Sequence, residues 1–213
     1  MDIFIYLFVA LFSVLNPIGT VPIFVGLTQG YTASERSKTS LVTSINVFII
    51  LMISFFVGQY VLSFFGITIT ALRIAGGIII ASSGFSLLNG NFSKNKGINK
   101  KVQKEVEARQ HIALTPLAMP MLAGPGSISL LIAYYQELGE SGSAITSVEI
   151  LFSCLAILAV AVLIYIVLRS AHYLAKILGS SGIVAISRII GFLTIAIGIQ
   201  YIISATLSII RGI

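Results

Sequence analysis

The chain has 213 residues, of which 57% are hydrophobic and only 9% are charged. A soluble globular domain carries roughly 25% charged residues, so this chain cannot build a water-exposed surface and must have lipid as the solvent for most of its length. The formal net charge of +6 lies mainly between apolar stretches, where it indicates membrane topology and does not indicate nucleic-acid binding.

Six apolar stretches are each long enough to cross a hydrocarbon core of about 30 Å, which takes about 20 helical residues. They lie near residues 3–27, 40–64, 70–89, 111–134, 149–169 and 185–209. The stretches do not alternate with a period of two, so they are predicted as helices and not as barrel strands. The sequence therefore predicts an all-α membrane protein with six transmembrane helices.

The chain divides into two halves that carry corresponding motifs. Residues 1–90 are predicted as a first three-helix repeat, residues 91–110 as a basic cytoplasmic linker, and residues 111–213 as a second three-helix repeat. Three crossings in each half is an odd number, so the second half enters the membrane from the opposite side and the repeat is inverted. In transporters built from inverted repeats, interrupted helices in corresponding positions lie at the substrate site.

Helices one and four of the predicted set each contain a Pro/Gly cluster at the same depth. Pro17 lies 14 residues after Ile3, and Pro125 lies 14 residues after His111. At about 1.5 Å per residue, each proline is roughly 21 Å from its own entry face, so both breaks fall near the midplane. A lone proline usually produces only a kink, but two matched clusters favour a ligand or ion site, because freed backbone groups must meet protein or line a cavity.

The two clusters carry small polar residues suited to a zwitterionic ligand. The predicted substrate-binding residues are Asn16, Pro17, Gly19, Thr20, Gly124, Pro125, Gly126 and Ser127. Half-helix N-termini attract a carboxylate, side-chain oxygens accept hydrogen bonds, and exposed carbonyls bind Na⁺. The surrounding walls are apolar, so a charged ligand side chain finds no counter-charge. A small neutral amino acid fits this pattern. No resident cofactor is expected, and coupling to Na⁺ or H⁺ is left open.

Three further polar residues lie within the predicted spans. Arg73 and Arg188 each lie about one turn inside a span, at opposite faces, and either snorkel to the headgroups or guide and gate an anionic group. Gln200 lies deep in the sixth span and either satisfies a freed backbone group or contacts substrate. No Asp, Glu or Lys lies deep in any span, so a carboxylate proton relay is not expected.

Lysine and arginine are concentrated on one side of the predicted membrane. The bases in the connections after spans one, three and five are Arg36, Lys38, Lys94, Lys96, Lys100, Lys101, Lys104, Arg109, Arg169 and Lys176. The connection between spans four and five carries Glu137, Glu140 and Glu149 and no base. The positive-inside rule then places the basic connections in the cytoplasm and both termini outside.

Enzymatic chemistry has no support in the residue pattern. The sequence has no paired carboxylates, metal-ligand spacing, nucleophile elbow or phosphate loop, so we expect neither an enzyme nor a metal site. The lone Cys154 lies in an apolar run and is interpreted as a small buried hydrophobe. The expected partners are a small-molecule substrate and the lipid bilayer, and formation of a homo-oligomer is left open.

These motifs resemble the MarC family of bacterial and archaeal integral membrane proteins, which is related to the LysE-type exporter superfamily. The resemblance covers essentially the whole chain and rests on residues 16–19 with Pro22, residues 73–77, residues 116–120 and 123–128, and Arg188 with Gly191. It implies six transmembrane segments and a neutral amino acid transporter group in the cytoplasmic membrane. The expected function is a secondary transporter of amino acids such as glycine or alanine. The alternatives are an exporter of another metabolite or a lipid-linked substrate, and a non-transporting scaffold.

Overall fold

The computed structural model of the chain describes residues 2–28, 30–89, 113–140 and 146–211, and every regular element in these ranges is helical. In chain order the elements are α1 (Asp2–Leu15), α2 (Pro17–Leu27), α3 (Ala33–Phe65), α4 (Ile69–Leu88), a π-helical segment (Ala113–Leu122), α5 (Pro125–Glu140), α6 (Ser147–Arg169) and α7 (Ala171–Arg211). The predicted linker 91–110 lies outside the described residues.

Within the described ranges, four helical stretches are long and apolar enough to cross a membrane. These are α3, α4, α6 and the part of α7 from Ser181 to Ile210. Helices α1 and α2 meet at 40° and give a fifth span when the bent pair is taken as one. The predicted fourth span, 111–134, is described as the π-helical segment followed by α5, and neither part reaches the length of a span alone. Over the residues that the structure describes, the membrane protein is therefore all-helical, with four or five candidate spans.

Capping residues fix where the long helices begin and end. The side chain of Glu35 accepts a hydrogen bond from the backbone N–H of Thr32 (2.7 Å), and the hydroxyl of Thr32 accepts one from the N–H of Glu35 (3.3 Å), so α3 begins with a capping box. At the start of α6, the backbone N–H of Thr146 likewise donates a hydrogen bond to the side chain of Glu149 (2.9 Å). Helix α3 ends at Gly66, whose φ of 64° suits glycine.

Three helix boundaries differ from the sequence prediction by more than one turn. Helix α3 begins at Ala33, so Arg36 and Lys38, which were expected in a connection, lie on a helix. Helix α5 continues to Glu140, so Glu137, which was expected in a connection, lies on a helix. Helix α7 begins at Ala171 and not near residue 185, with non-helical backbone at Gly179 (φ 63°). The polar residues between the last two spans therefore continue as helix.

Every extensive contact among the described helices joins the first half of the chain to the second. Helix α4 packs along α7, α3 packs against α5 and α6, and α2 packs against α7. Helix α1 packs against α6, whereas the π-helical segment packs against α3. One polar bond illustrates this arrangement, because the Ser44 hydroxyl on α3 donates to the Ala161 carbonyl on α6 over 2.8 Å. The two halves are interleaved and do not form separate cores.

Four glycines let α4 and α7 touch through their backbones. A Cβ atom added at Gly198 would lie 2.6 Å from the carbonyl oxygen of Gly77, and one added at Gly84 would lie 2.6 Å from that of Gly191. Because Gly77 meets Gly198 while Gly84 meets Gly191, the two helices run antiparallel. Small residues at such positions allow the close approach that stabilises helix pairs in lipid.

The start of α3 and the start of α7 lie at the same end of the bundle. Burial, together with the positive charge of the nearby Arg36, lowers the pKa of His172 below its usual value. The helix starts next to two of the connections predicted to face the cytoplasm therefore lie together.

Candidate functional site

A buried left-handed residue separates α1 from α2. Asn16 has φ 43° and ψ 66° and is fully buried. Asparagine tolerates this conformation better than most residues because its side chain bonds locally. Here the side-chain Oδ1 accepts the N–H of Gly19 (3.1 Å), and the hydroxyl of Thr20 donates to the Asn16 carbonyl (3.3 Å). Asn16 thus ends one helix and caps the next inside the protein.

The carbonyl freed by Pro17 is met from the other half of the chain. In a continuous helix the Ser13 carbonyl would accept the N–H of residue 17, but proline has no N–H. The hydroxyl of Thr194 on α7 lies 3.0 Å from the Ser13 oxygen and 2.8 Å from the Ile190 oxygen of its own helix. Thr194 is fully buried, and its single hydroxyl hydrogen is shared between the freed Ser13 carbonyl and the Ile190 carbonyl.

The amide nitrogen of Asn16 is a buried donor with no acceptor among the described residues. Its Nδ2 atom is inaccessible to solvent and makes no hydrogen bond. The side chain lies against Gly19 so closely that a Cβ atom there would overlap with Nδ2. A buried donor without an acceptor costs about 1–3 kcal/mol, so the position favours a ligand or water that accepts a hydrogen bond.

The second break lies beside the first. Gly124 separates the π-helical segment from α5, and the Ser127 hydroxyl donates to its carbonyl (2.9 Å). A Cβ atom at Gly126 would lie 3.5 Å from Val14 and 3.1 Å from Ile80, so the beginning of α5 packs against the end of α1. Gly126 and Ser127 are buried, whereas Pro125 is exposed. The structure thus brings the start of α5 next to the end of α1, just before Asn16.

Two predicted polar residues lie away from these breaks. Arg188 is exposed and lines a shallow surface cavity together with Ser181, Val184 and Ala185. Gln200 was expected either to satisfy a freed backbone group by a hydrogen bond or to contact substrate. It is exposed, and its amide donates to the Ser204 hydroxyl on the same helix over 3.3 Å. Gln200 therefore bonds along α7 and not to a break.

Arg73 belongs to a polar cluster at one end of the bundle. Its Nη2 lies 3.8 Å from Oε2 of Glu137 on α5, and the side chains of Arg73 and Glu137 are 11% and 61% exposed. The Tyr6 and Tyr134 rings pack 6.0 Å apart, and the nearby Tyr201 hydroxyl donates to the Leu130 carbonyl over 3.4 Å. Below, these five residues, Arg73, Glu137, Tyr6, Tyr134 and Tyr201, are called the Arg73 cluster.

Sequence reasoning missed Thr194, Glu137 and Tyr201. Pro17 signals an orphaned carbonyl at Ser13, but many hydroxyls lie in the spans and the sequence does not say which one reaches it. Glu137 was missed as a partner because it was assigned to a connection. In the described ranges, no three His, Cys, Asp or Glu side chains come together as metal ligands.

Replacing Gly19 with alanine is expected to lower the free energy of unfolding by about 0.5–2 kcal/mol, because the new methyl group displaces the Asn16 side chain and its cap is lost. Equilibrium unfolding in mixed micelles measures this loss. Gly26→Ala is the matched control, since it lies in the same helix with no atom within 4 Å of the added Cβ. Equal stability of the two variants would contradict the role of the Asn16 cap.

These features define a multi-pass integral membrane protein. A sequence model described as "MarC family integral membrane protein" matches residues 1–210. The chain belongs to this family.

Three relatives illustrate the similarity. The chain is 39% identical over 209 residues to the inner membrane protein MarC of an Escherichia coli strain, covering 95% of this chain and 93% of the relative. It is 37% identical over 207 residues to the membrane protein YhcE of Escherichia coli K12, covering 97% and 93%. It is 40% identical over 204 residues to a membrane protein of Buchnera aphidicola, covering 94% and 90%. None of these names states a substrate. No solved structure matches the chain significantly.

Proposed function

We propose that the protein is a secondary transporter of small neutral amino acids, such as glycine or alanine, across the cytoplasmic (inner) membrane. The substrate binds near the midplane, between the break at Asn16 and the break at Gly124. The two halves form an inverted repeat of three spans each, and the π-helical segment with α5 makes up the fourth span. Transport proceeds by rocking of elements around these breaks, as in other inverted-repeat transporters.

Support for the inverted repeat comes from matched positions in the two halves. The capping residues Thr32 and Thr146 are 114 positions apart, as are Gly77 and Gly191, and likewise Gly84 and Gly198. A two-fold axis in the membrane plane relates α4 to α7 and makes the two helices antiparallel. The same axis places the contact between Gly77 and Gly198 on top of the contact between Gly191 and Gly84. The observed glycine contacts have this reciprocity.

The packing of the remaining helices follows the same exchange. Helix α1 packs on α6, and the corresponding π-helical segment packs on α3. Helix α2 packs on α7, and the corresponding α5 packs on α4. An axis that relates α1 and α2 to the π-helical segment and α5 predicts these pairings, so the arrangement favours two opposed halves over a simple helical bundle.

The single observation that carries the proposal is the buried, capped break at Asn16. Non-helical backbone at membrane depth is tolerated only where protein or a cavity satisfies its polar groups. Here a residue of the other half, Thr194, meets the freed Ser13 carbonyl, while the Asn16 amide keeps a donor for a ligand. An ordinary proline kink does not require a left-handed buried residue or an orphaned donor.

The chemistry of the breaks favours a neutral zwitterion. The N-termini of α2 and α5 present backbone N–H groups and positive dipole ends, which attract a carboxylate. The side chains nearest to them are uncharged, namely Asn16, Thr20 and Ser127, and their neighbours Val14 and Ile80 are apolar. Coupling to Na⁺ or H⁺ remains open, and we propose neither an enzymatic role nor a resident cofactor.

The orientation proposed for the protein places both termini outside. Arg36 and His172 lie at the same end of the bundle, near the starts of α3 and α7. Glu137 near the end of α5 and Glu149 near the start of α6 carry acidic charge beside the predicted connection between spans four and five. The excess of Lys and Arg in cytoplasmic connections then sets the direction. The Escherichia coli relative MarC is named an inner membrane protein, which supports this location.

Reconstitution into proteoliposomes tests the transport proposal. Labelled glycine or alanine is expected to enter vesicles containing the protein, with flux compared in the presence and absence of Na⁺ and H⁺ gradients. Asn16→Ala is expected to reduce the rate at least tenfold, because the cap and the ligand donor are lost together. Ile53→Ala, on an exposed face of α3, is the matched control and retains flux.

Other outcomes of this experiment would replace the proposal. If no amino acid moves under any gradient but another metabolite or a lipid-linked compound does, the protein is an exporter of that substrate. If nothing moves, and Pro17→Ala and Pro125→Ala leave every cellular phenotype intact, the protein is a membrane scaffold.

A further inference from the structure

Polar side chains line a crevice where the start of α3 meets the end of α6. The Ser44 hydroxyl on α3 donates to the Ala161 carbonyl on α6 (2.8 Å), so the two helices are in direct contact there. Nearer the end of the bundle, Ser37 lies beside the Tyr165 hydroxyl. Because Ser37 precedes Ser44 while Tyr165 follows Ala161, the two helices run antiparallel. The residues around Ser37 therefore face those around and after Tyr165.

Three polar residues of the second half of the chain share one side of this crevice. Tyr165, Arg169 and His172 are spaced by four and three residues, the spacing of one helix face. Only Ser170 separates α6 from α7, and its backbone N–H still bonds to the Ile166 carbonyl four residues back (3.0 Å). The helical path therefore continues, and the three side chains stay on one face.

The Arg169 guanidinium is held in place by Tyr165. Its Nη1 donates to the Tyr165 hydroxyl over 2.7 Å, and its Cζ lies 5.6 Å from the centroid of the Tyr165 ring. This hydrogen bond uses one of the five N–H groups of the guanidinium, and the arginine is exposed. A planar group that is already oriented loses little freedom when it binds an anion.

Arg36 brings a second positive charge to the crevice from the first half of the chain. Its charge acts on His172 across the gap, so the two side chains lie close together. The neighbouring Glu35 carboxylate turns back to Thr32, where it accepts hydrogen bonds from the backbone N–H (2.7 Å) and the hydroxyl (2.9 Å). The residues that define this α3/α6 crevice include two arginines and no acid, and they are Arg36, Ser37, Tyr165, Arg169 and His172.

The depth of the α3/α6 crevice suits a lipid phosphate. Helix α6 is a candidate span that ends at Arg169, so this guanidinium lies at the level of the headgroups. Basic pockets between membrane helices are a known form of anionic headgroup site. Directly beyond, Tyr173 and Ile177 of α7 are 67% and 60% exposed and are spaced by one helical turn. They offer apolar surface to the rest of a lipid, from which a soluble anion would gain nothing.

From this geometry we infer that the α3/α6 crevice binds the phosphate of an anionic phospholipid such as phosphatidylglycerol. Arg36 and Arg169 supply the charge, the Ser37 hydroxyl is a further donor, and Tyr165 is a positioning residue that orients Arg169. Since α3 and α6 belong to different halves of the chain, the bound phosphate bridges the halves at this end.

The lipid site is independent of the proposed transport function and separate from the Arg73 cluster. Tyr135, the neighbour of Tyr134 in that cluster, packs on Phe55 of α3 with ring centroids 5.0 Å apart. At about 1.5 Å per residue, Phe55 lies about 28 Å further along α3 than Arg36. The two groups of polar residues therefore lie at opposite ends of the bundle.

Binding of short-chain phosphatidylglycerol to the purified full-length protein in an uncharged detergent tests the site. Arg36→Gln and Arg169→Gln are each expected to weaken binding at least fivefold, because one basic group beside an anionic headgroup contributes about that factor. Arg169→Lys keeps the charge and is expected to weaken binding less. Tyr165→Phe keeps every charge but frees the guanidinium, and it is expected to weaken binding about threefold. Phosphatidylcholine, which is zwitterionic, is expected to bind with an affinity that none of these changes alters.

Lys38→Gln is the matched control, because it removes the same charge from the same end but from an exposed position of α3. It is expected to change phosphatidylglycerol affinity less than twofold. If Lys38→Gln weakens binding as much as Arg169→Gln, the lipid is attracted by the basic surface as a whole and the inference is overturned. Unchanged affinity in Arg169→Gln also overturns it. If inorganic phosphate binds as tightly as phosphatidylglycerol and responds to the same variants, the site takes a soluble anion and the lipid assignment is wrong.

Discussion

Gly198→Ala is expected to lower the free energy of unfolding by about 3 kcal/mol. The added Cβ would lie 2.6 Å from both the Gly77 oxygen and the Ala81 nitrogen and 3.0 Å from the Ala81 Cα. All three atoms belong to the backbone, so no side chain can rotate away and α4 must move. Overpacking of this kind costs about 1–3 kcal/mol and occasionally more. Equilibrium unfolding in mixed micelles measures the change.

Two further glycine substitutions serve as comparisons for Gly198→Ala. Gly84→Ala is expected to have a similar cost, because its Cβ would lie 2.6 Å from the Gly191 oxygen. Gly26→Ala, whose Cβ meets nothing within 4 Å, is expected to leave stability unchanged or to raise it by up to about 1 kcal/mol through helix propensity. If Gly198→Ala is as stable as Gly26→Ala, the close backbone contact between α4 and α7 is refuted.

Thr194→Val and Pro17→Ala are expected to compensate for each other. Thr194→Val alone removes the donor to the Ser13 carbonyl, and an unpaired buried carbonyl costs about 1–3 kcal/mol. Pro17→Ala supplies a backbone N–H four residues after Ser13, so a continuous helix can satisfy the same oxygen. In that background, Thr194→Val should cost less than about 1 kcal/mol. A double-mutant cycle measures the difference as an interaction energy.

The control for this cycle is a hydroxyl that bonds only within its own helix. Thr206 donates to the Ile202 carbonyl of α7 over 2.8 Å and is exposed. Thr206→Val is therefore expected to show the same small effect in the native background and in the Pro17→Ala background. An interaction energy near zero for Thr194, matching that of Thr206, would show that Thr194 does not satisfy the break.

Local chemistry made much of the fold predictable. A span needs only a long apolar run, so α3, α4 and α6 follow from composition. The place where α1 ends follows from Pro17, which cannot continue the hydrogen-bond ladder. By contrast, the sequence prediction ended the fourth helix before Glu137 and began the last one after Lys176, because polar residues there resemble connections. Both segments are helical, since polar side chains at a membrane surface do not end a helix.

The candidate site was only half predictable, for a physical reason. Proline at position 17 identifies an orphaned carbonyl, and Asn16 identifies a residue able to adopt φ 43°. Thr194, which meets the orphaned carbonyl, and Glu137, which pairs with Arg73, each lie more than 60 residues along the chain from their partners. The residue pattern and its periodicity describe one helix at a time, so they do not predict which residues of the two halves come into contact.

The interleaved packing has a consequence for biosynthesis. When residues 1–90 have left the ribosome, the surfaces of α1, α3 and α4 that will be buried still face lipid, because their partners have not been made. The backbone groove at Gly77 and Gly84 stays unfilled until the final helix is inserted. Maturation is therefore delayed until synthesis is almost complete. A chain truncated after α6 should be a substrate for membrane quality control and not a partly active protein.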